Sequence, residues 1–340
     1  MVVIVGPTAS GKSALAVELA RRFAGEVVNY DSVQVYRGFD IGSGKLRPEE
    51  RHEIPHHLLD IVNCGQVFTA GDYRREALAV LAALRERRRL PILVGGTGLY
   101  LRALLQGLFE GPRRSEALRA RLRGVAHRRG GAFLHRILRR LDPATAGRIH
   151  PNDTQKVLRA VEVCLLAKEP MSRLLARDHD AQGKRPAGQG GLPDYRAIKV
   201  GLDPDRAVLY QRINMRVEKM FREGLVDEVS AALLRAGQQR ANSLTHAPAP
   251  EAPWAGRTGP GKPLEALGYR QARALLRGEI TPEVAVSDTQ TATRQYAKRQ
   301  MTWFRREGDV MWFRGFGDDP EVQCQIAGWV GSKIEAPEGE

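Results

Sequence analysis

A glycine-rich segment near the start of the chain restricts the possible folds more than any other feature. Residues 6–13, GPTASGKS, match the pattern G-x-x-x-x-G-K-[ST] at every fixed position. An apolar run at 2–5 precedes the segment, and helical periodicity follows it at 14–23. In such a loop, backbone N–H groups and a helix N-terminus surround an anion, Lys12 adds a positive charge, and the Ser13 hydroxyl can hold Mg²⁺. The segment therefore predicts a phosphate- or diphosphate-binding loop without specifying the compound.

Alternating strand and helix patterns extend this prediction to a fold class. Strand patterns occur at 2–5, 26–30, 57–62 and 90–94, and helical patterns at 14–23 and 72–89. Such alternation is typical of a parallel sheet that is covered on both faces. We predict an α/β fold, namely a P-loop NTPase-like parallel sheet flanked by helices and interrupted by an all-helical insertion domain.

The insertion is indicated by a change in charge. Residues 113–159 contain thirteen Lys and Arg against three acidic residues, which is most of the net charge of +14 of the 340-residue chain. Such an excess suggests a polyanionic partner. The expected organisation is a core at 1–111, a basic helical domain at 112–193, a second core part at 194–315 and a tail at 316–340, whose acidic end (Glu335, Glu338 and Glu340) is expected to be disordered.

Within the second core part, a strand is expected at 197–202, and a long helix is expected from Asp205 to about residue 234. Residues 241–263, rich in Pro, Ala and Gly, predict a mobile loop. Helices are expected again over 264–306, and a last strand is expected at 310–313.

Several classes of protein are disfavoured. No apolar run approaches the ~18 residues of a membrane span, and the N-terminus lacks the features of a signal peptide. The three cysteines are widely separated and odd in number, which argues against a disulfide framework or a cysteine zinc site. These features favour the cytoplasm. The cluster His52, His56 and His57 is a weak metal candidate, because His57 begins a predicted strand.

A carboxylate follows the second strand. Asp31 is expected at the carboxyl edge of the sheet beside the phosphate-binding loop, where open α/β sheets bind ligands. It could cap a turn, or it could act as a general base. A Mg²⁺-holding Asp would be typical at the end of the strand at 90–94, but that strand runs into Gly95-Gly96, and Asp60 is a weak substitute.

Eight motifs in a fixed order carry a specific resemblance. In chain order they are residues 6–13, the segment from Asp31, GFDIG at 38–42, PHHLLD at 55–60, GGTGLY at 95–100, HPND at 150–153, GYRQ at 268–271 and TRQYAKRQ at 293–300. Over residues 1–315 the chain resembles the bacterial tRNA dimethylallyltransferases, the IPP transferase family.

The resemblance implies a reaction and its cofactor. Members of the family transfer the dimethylallyl group of dimethylallyl diphosphate to N6 of the adenosine 3′ of the anticodon, tRNA position 37. By resemblance Asp31 is the general base, Thr97 is hydrogen-bonded nearby, and Ser13 serves Mg²⁺. An arginine of the helix after Asp205 helps to bind diphosphate; Arg212 and Arg216 share a helical face, and we favour Arg216. The implied diphosphate-binding residues of the loop are Gly6, Pro7, Thr8, Ala9, Ser10, Gly11, Lys12 and Ser13.

The resemblance also implies contacts with tRNA, and the expected protein is a monomer with no membrane partner. The zinc finger of the eukaryotic relatives is not expected, since the required Cys and His pairs are missing from the sequence. The implied tRNA-binding residues are Asp31, Ser32, Val33, Gln34, Thr97, Arg119, Gln155, Lys156, Val157, Leu158, Arg159, Gln271 and Arg294.

Two other functions are compatible with a phosphate-binding loop. A P-loop kinase of small molecules would also place an acceptor-activating Asp near the phosphates, but it has no use for the basic insertion. A non-enzymatic NTPase that binds RNA or DNA would show nucleotide-dependent binding and no product on RNA. Turnover of ATP favours these two alternatives, whereas alkylation of RNA favours prenyl transfer.

Overall fold

The computed structural model describes residues 1–109, 111–112, 114–183, 192, 195–245 and 262–335. The chain divides into two compact units. The core unit comprises Met1–Leu104 and Asp194–Glu340, and the helical unit comprises Leu105–Pro193.

The core unit is built on a six-stranded parallel sheet with the strand order β3-β2-β4-β1-β5-β6. All four residues of the first strand are buried, as expected for a strand covered on both faces. The parallel sheet flanked by helices confirms the predicted fold class. The strands are β1 (Val2–Val5), β2 (Gly25–Asn29), β3 (His56–His57), β4 (Leu90–Val94), β5 (Ile198–Asp203) and β6 (Val310–Arg314).

The strand register determines where the site forms. Val94 of β4 is level with Ile4 of β1 and with Asn29 of β2. Three neighbouring strands therefore end together, and the segments that follow them leave the same edge of the sheet. This edge carries the phosphate-binding loop, Asp31 and Gly95-Gly96.

The described part of the chain also contains thirteen α-helices. None of the described helices is long and apolar enough to cross a membrane. They are α1 (Lys12–Arg22), α2 (Ala70–Glu86), α3 (Gly98–Leu105), α4 (Glu116–Arg129), α5 (Gly131–Leu141), α6 (Pro143–Arg148), α7 (Thr154–Ala167), α8 (Met171–Gly183), α9 (Arg206–Arg222), α10 (Leu225–Thr245), α11 (Tyr269–Leu276), α12 (Pro282–Phe304) and α13 (Pro320–Glu335).

The helical unit packs around its own apolar core, which includes Leu134, Leu138 and Val161. A buried carboxylate joins two of its helices. Asp142 accepts hydrogen bonds from the N–H of Thr145 in α6 (3.0 Å) and from the N–H of Ser172 in α8 (2.7 Å). Burial opposes ionisation of Asp142, but the hydrogen bonds from Thr145 and Ser172 outweigh it and lower its pKa.

Several predicted boundaries differ from the structure. The helix from Asp205 ends at Arg222, because Gly224 adopts φ 100° and a new helix, α10, begins after it. Helix α10 continues to Thr245, so residues 241–245 are helical and not part of a loop. Helix α8 extends to Gly183. The third strand is only the pair His56–His57. Residues 246–261 of the predicted loop lie outside the described residues.

The prediction of a tail over 316–340 is wrong as far as residue 335. Helix α13 places Val322, Ile326 and Val330 in the core cluster beside the sheet. These residues are four apart and therefore share one face of the helix. The pattern is inconspicuous in the sequence because Gly, Ala and Cys occupy many of the remaining positions. Residues 336–340 lie outside the described part of the chain.

Replacement of Ile326 by Ala is expected to destabilise the protein by about 2–5 kcal/mol, because it leaves a cavity in a filled core. Ile334 lies on the same helix but is 43% exposed, and Ile334→Ala is the matched control. The free energy of unfolding in urea measures both variants. Equal effects of the two substitutions would show that α13 is not part of the cooperative core.

Candidate active site

The phosphate-binding loop joins β1 to α1 and curls around the side chain of Lys12. The ammonium group of Lys12 donates to the carbonyl of Pro7 (2.6 Å). Gly11 adopts φ 82° and forms the N-cap of α1, a conformation that glycine reaches without the strain of a Cβ. The described loop thus has the geometry that the sequence pattern predicts for anion binding.

The loop forms one wall of a cavity of about 460 Å³ in the core unit. Other walls are formed by Asp31 and Gln34, by Gly95-Gly96 and by Arg216. Tyr296 and Gln300 of α12 and Asp318 also line the cavity. The structure therefore brings together the loop, Asp31, Gln34 and Arg216 from the set of predicted site residues.

Two cations meet in this cavity. Burial, together with the charge of Arg216, lowers the pKa of Lys12 to about 7. Burial also lowers the pKa of Arg216. The charge of Asp31 opposes both shifts but does not cancel them. Two neighbouring cations at a helix N-terminus are suited to bind a multiply charged anion.

The two oxygens of Asp31 have different surroundings. Oδ1 accepts a hydrogen bond from the N–H of Val33 (2.8 Å) and so caps the turn after β2. Oδ2 faces Gly96, where an added Cβ would lie 2.9 Å from it. The N–H of Asp31 donates to Oδ1 of Asn29 (2.9 Å), which fixes the backbone. Turn capping and a role at the cavity are therefore compatible, because each uses a different oxygen.

Thr97 connects the start of α3 to the segment after Asp31. Its hydroxyl oxygen accepts from the N–H of Ser32 (2.9 Å), and the hydroxyl donates to Oγ of Ser32 (3.1 Å). Thr97 thus lies within hydrogen-bond contact of the neighbour of Asp31, which is the arrangement that the resemblance implies.

Gln300 joins two walls of the cavity. Its carbonyl oxygen accepts from the N–H of Thr8 in the phosphate-binding loop (2.8 Å), and its NH₂ group donates to the carbonyl of Gly96 (3.0 Å). Tyr296, one helical turn earlier, donates to the same carbonyl (3.0 Å). Helix α12 therefore holds the loop at a fixed distance from the end of β4, beside Asp31.

A second loop, residues 38–47, closes the opposite wall. The carboxylate of Glu228 accepts three consecutive backbone N–H groups, those of Asp40 (2.8 Å), Ile41 (2.9 Å) and Gly42 (3.2 Å). Gly44 of this loop lies directly against the guanidinium of Arg216, which leaves no room for a Cβ. Glu228 thus fixes the backbone that positions Arg216.

Two predicted tRNA-binding residues of the core unit have structural contacts. Gln271 is buried and accepts from the N–H of Gly268 (3.1 Å) at the start of α11. Arg294 donates to Oδ1 of Asn214 (2.6 Å) and so joins α12 to α9. Neither side chain lines the cavity described above.

The predicted residues of the helical unit fall into two groups. Gln155 and Lys156 are exposed, whereas Val157 and Leu158 are buried in the apolar core. Arg119 is buried against Glu162 (3.0 Å), which also binds Arg159 (2.8 Å). The contacts of Arg119 and Arg159 with Glu162 are thus part of the packing of this unit.

The weaker metal and acid candidates have other contacts. His57 contacts Glu26 (2.6 Å), and His56 lies 2.8 Å from the carbonyl of Ile54. Asp60 accepts from the ammonium group of Lys45 (2.6 Å). Among the residues that the structure describes, no group of three His, Cys, Asp or Glu side chains could hold a metal ion.

Sequence reasoning assigned no role to Tyr296, Gln300 or Asp318. Tyr296 and Gln300 are four residues apart in the motif at 293–300, and this spacing on one helical face is a signal that could have identified them. Asp318 follows the last strand and has no motif around it.

The fold and the site together define a P-loop α/β protein with an acidic side chain beside an anion site. A family model described as IPP transferase matches residues 34–307. The tRNA dimethylallyltransferase of Koribacter versatilis is 50% identical over 94% of this chain and 94% of its own length. The tRNA dimethylallyltransferase of Solibacter usitatus is 49% identical over 95% of each chain.

Solved structures agree with this match. The full-length tRNA isopentenylpyrophosphate transferase of Bacillus halodurans superposes with a TM-score of 0.65 at 35% identity, covering 98% of this chain and 96% of that one. A eukaryotic dimethylallyltransferase acting on tRNA has the same fold, with a TM-score of 0.73 at 24% identity. The chain belongs to the IPP transferase family, and by class it is a prenyltransferase.

The lowered pKa of Lys12 predicts proton uptake when an anion binds. With a pKa of about 7, Lys12 is mostly neutral at pH 8, and a bound anion raises its pKa because it stabilises the charged form. Calorimetric titration with inorganic diphosphate at pH 8, in two buffers of different ionisation enthalpy, should show up to about one proton taken up. The affinity for inorganic diphosphate should fall as the pH rises above 7, because Lys12 of the free protein loses its proton.

Lys12→Arg is the control for that titration, because arginine stays protonated at pH 8 while the protonation of diphosphate itself is unchanged. Proton uptake should therefore be smaller in this variant. Equal uptake by the two proteins would contradict a neutral Lys12.

Proposed function

We propose that the protein transfers the dimethylallyl group of dimethylallyl diphosphate to N6 of the adenosine 3′ of the anticodon in tRNA, with release of diphosphate. The observation that carries this proposal is a cavity in which the buried Lys12 and the half-buried Arg216 lie beside the carboxylate of Asp31, one oxygen of which accepts no hydrogen bond from the described residues. Curated relatives with half of their residues identical are tRNA dimethylallyltransferases, which supports the same reaction. Because tRNA is the acceptor, we place the reaction in the cytoplasm.

The loop binds the diphosphate in this proposal. Lys12, Arg216 and the backbone N–H groups of the loop balance its negative charge. That charge grows on the leaving group as the bond between C1 and the diphosphate oxygen breaks, so the same groups stabilise the transition state more than the bound substrate. No nucleoside is required for this part of the site.

Asp31 receives the proton from the acceptor. The adenine amino group is a weak nucleophile because its lone pair is delocalised into the ring, so it needs positioning and proton removal. As the N6–C1 bond forms, a proton leaves N6 and passes to Oδ2 of Asp31, the oxygen that is not engaged by Val33. Thr97 helps to hold the Asp31 segment through its contacts with Ser32.

The residues that line the cavity are suitable for Mg²⁺. Ser13 lines the cavity, and hard oxygen donors, here its hydroxyl together with the oxygens of the diphosphate, are the ligands that Mg²⁺ prefers. Ser13 would hold the ion, as its place after Lys12 in the loop motif suggests. When bound, Mg²⁺ neutralises part of the diphosphate charge.

The helical unit binds the RNA stem in this proposal. Exposed arginines supply the electrostatic attraction for phosphates, and Gln155 and Lys156 add exposed polar contacts at the start of α7. The buried Arg119, Val157 and Leu158 support this surface from within. The target base must leave its stack to reach the cavity. Among the described residues of this unit, the exposed arginines are Arg121, Arg128, Arg129, Arg136, Arg139, Arg140, Arg148, Arg173 and Arg177.

The reaction is tested by incubation of the protein with Mg²⁺, unmodified tRNA that carries adenosine 3′ of the anticodon, and either dimethylallyl diphosphate or ATP. Mass spectrometry of the digested nucleosides should show an isopentenyl increment on adenosine with the prenyl donor alone. Consumption of ATP without this increment would instead support a kinase or an RNA-binding NTPase.

Asp31→Asn separates chemistry from binding. The amide keeps an oxygen that can accept from Val33 but cannot take the N6 proton, so transfer should fall by about 10²-fold or more. The affinity for inorganic diphosphate should stay within about threefold of the original value, because the cations remain. Single-turnover assays and calorimetry measure the two quantities. Unchanged transfer would remove Asp31 from the role of general base.

A further inference from the structure

The turn between β6 and α13, residues 315–319, lies against the phosphate-binding loop. The N–H of Gly317 donates to the carbonyl of Ser10 (2.8 Å). The two segments are in such close contact that a Cβ on Gly317 would lie 2.7 Å from the carbonyl oxygen of Gly11. This turn follows the segment at 34–307 that the family model matches.

The turn brings a negative charge to the edge of an anion site. A Cβ on Gly11 would lie 2.7 Å from Oδ1 of Asp318, and Asp318 lines the same cavity as Lys12 and Arg216. A carboxylate at this position repels a diphosphate, since like charges close together destabilise each other. The carboxylate of Asp318 therefore needs a neighbouring cation that pairs with it and not with the bound anion.

Arg212 supplies that cation. One of its guanidinium nitrogens contacts both carboxylate oxygens of Asp318, at 2.7 and 2.8 Å. The guanidinium also lies over the ring of Phe316, 3.7 Å from the centroid, so it contacts the turn at two residues. Arg212 precedes Arg216 by one turn of α9. The helix therefore presents one arginine to the cavity and another to the turn beside it.

We propose that Arg212 and Asp318 are positioning residues of the diphosphate site. The ion pair screens the charge of Asp318 from the bound anion, while the backbone contact of Gly317 with Ser10 holds the turn in place. This inference rests on the proposed function, because it takes the anion to be the diphosphate of the prenyl donor. The pair adjusts donor affinity and does not touch the reacting atoms.

If Arg212 screens the charge of Asp318, loss of the arginine should weaken diphosphate binding more than loss of the carboxylate. A purely structural role of the ion pair would predict similar effects of the two substitutions. Arg212→Ala leaves an unpaired carboxylate, so the KM for dimethylallyl diphosphate and the Kd for inorganic diphosphate should rise about three- to tenfold. Asp318→Asn should change both by less than about twofold. The double variant should return to within about twofold of the original protein, because the repulsive charge is gone.

Salt provides a second readout. The side chain of Asp318 is 45% exposed, so its repulsion is screened by ions. The deficit of Arg212→Ala in diphosphate affinity should therefore shrink between about 0.05 and 0.5 M salt. The value of kcat should change by less than about threefold in all three variants, because Asp31 and Thr97 are unaltered.

The test measures diphosphate binding by calorimetry and transfer by mass spectrometry, on proteins whose thermal unfolding is first checked. Arg273→Ala is the matched control, because Arg273 forms an ion pair with Glu265 (2.8 Å) elsewhere in the core unit. Rescue of Arg212→Ala by Asp318→Asn supports the proposal.

Two results would overturn it. One is an equal loss of diphosphate affinity in Arg212→Ala and in the double variant, which would mean that the effect of Arg212 does not depend on the charge of Asp318. The other is loss of transfer in Asp318→Asn with a higher Mg²⁺ requirement, which would make Asp318 a metal ligand. Failure of the proposed function is distinguishable, because the original protein would then form no isopentenyl product while diphosphate calorimetry still compares the variants.

Discussion

The structure of the core unit depends on two cations that share a poorly solvated cavity. Lys12 and Arg216 lose hydration where they meet, and the lowered pKa of each shows that the protein alone does not compensate their charges. Such an arrangement is unfavourable for the folded chain unless other contacts hold it. It becomes more favourable when an anion of two or more charges enters, because the anion offsets both positive charges.

The contacts that hold this arrangement come from distant parts of the chain. Gln300 satisfies a donor of the phosphate-binding loop and an acceptor at the end of β4, and Glu228 satisfies three donors of the loop that carries Gly44. These hydrogen bonds fix the backbone of both segments in one geometry. Gln300 and Glu228 therefore hold the walls of the cavity. Lys12 and Arg216 are thus kept in place before an anion binds.

The sequence predicts the parts of the site that are encoded locally. The loop pattern and the acidic residue after β2 each lie within a few residues of a strand, so parallel pairing necessarily brings them to one edge. Glu228 and Asp318 reach the site by tertiary packing, which no local pattern records. The same limit applies to Arg119, because a run of arginines does not show which one is buried against Glu162. The sequence does not predict helix α13, because small residues between its apolar positions obscure the helical repeat.

The position of the acid relative to the strands distinguishes this site from that of a nucleotide hydrolase. In P-loop hydrolases a metal-holding Asp is typical at the end of an apolar strand. Here β4 ends in Gly95-Gly96, and the carbonyl of Gly96 accepts from Tyr296 and Gln300 instead. The carboxylate has moved to β2, one strand further from the phosphate-binding loop. The lack of a side chain at Gly96 leaves space beside Oδ2 of Asp31, since a Cβ there would lie 2.9 Å from this oxygen. An acid in that position is suited to accept a proton from a second substrate rather than to hold a metal on the first, which is the requirement of group transfer to a nitrogen nucleophile.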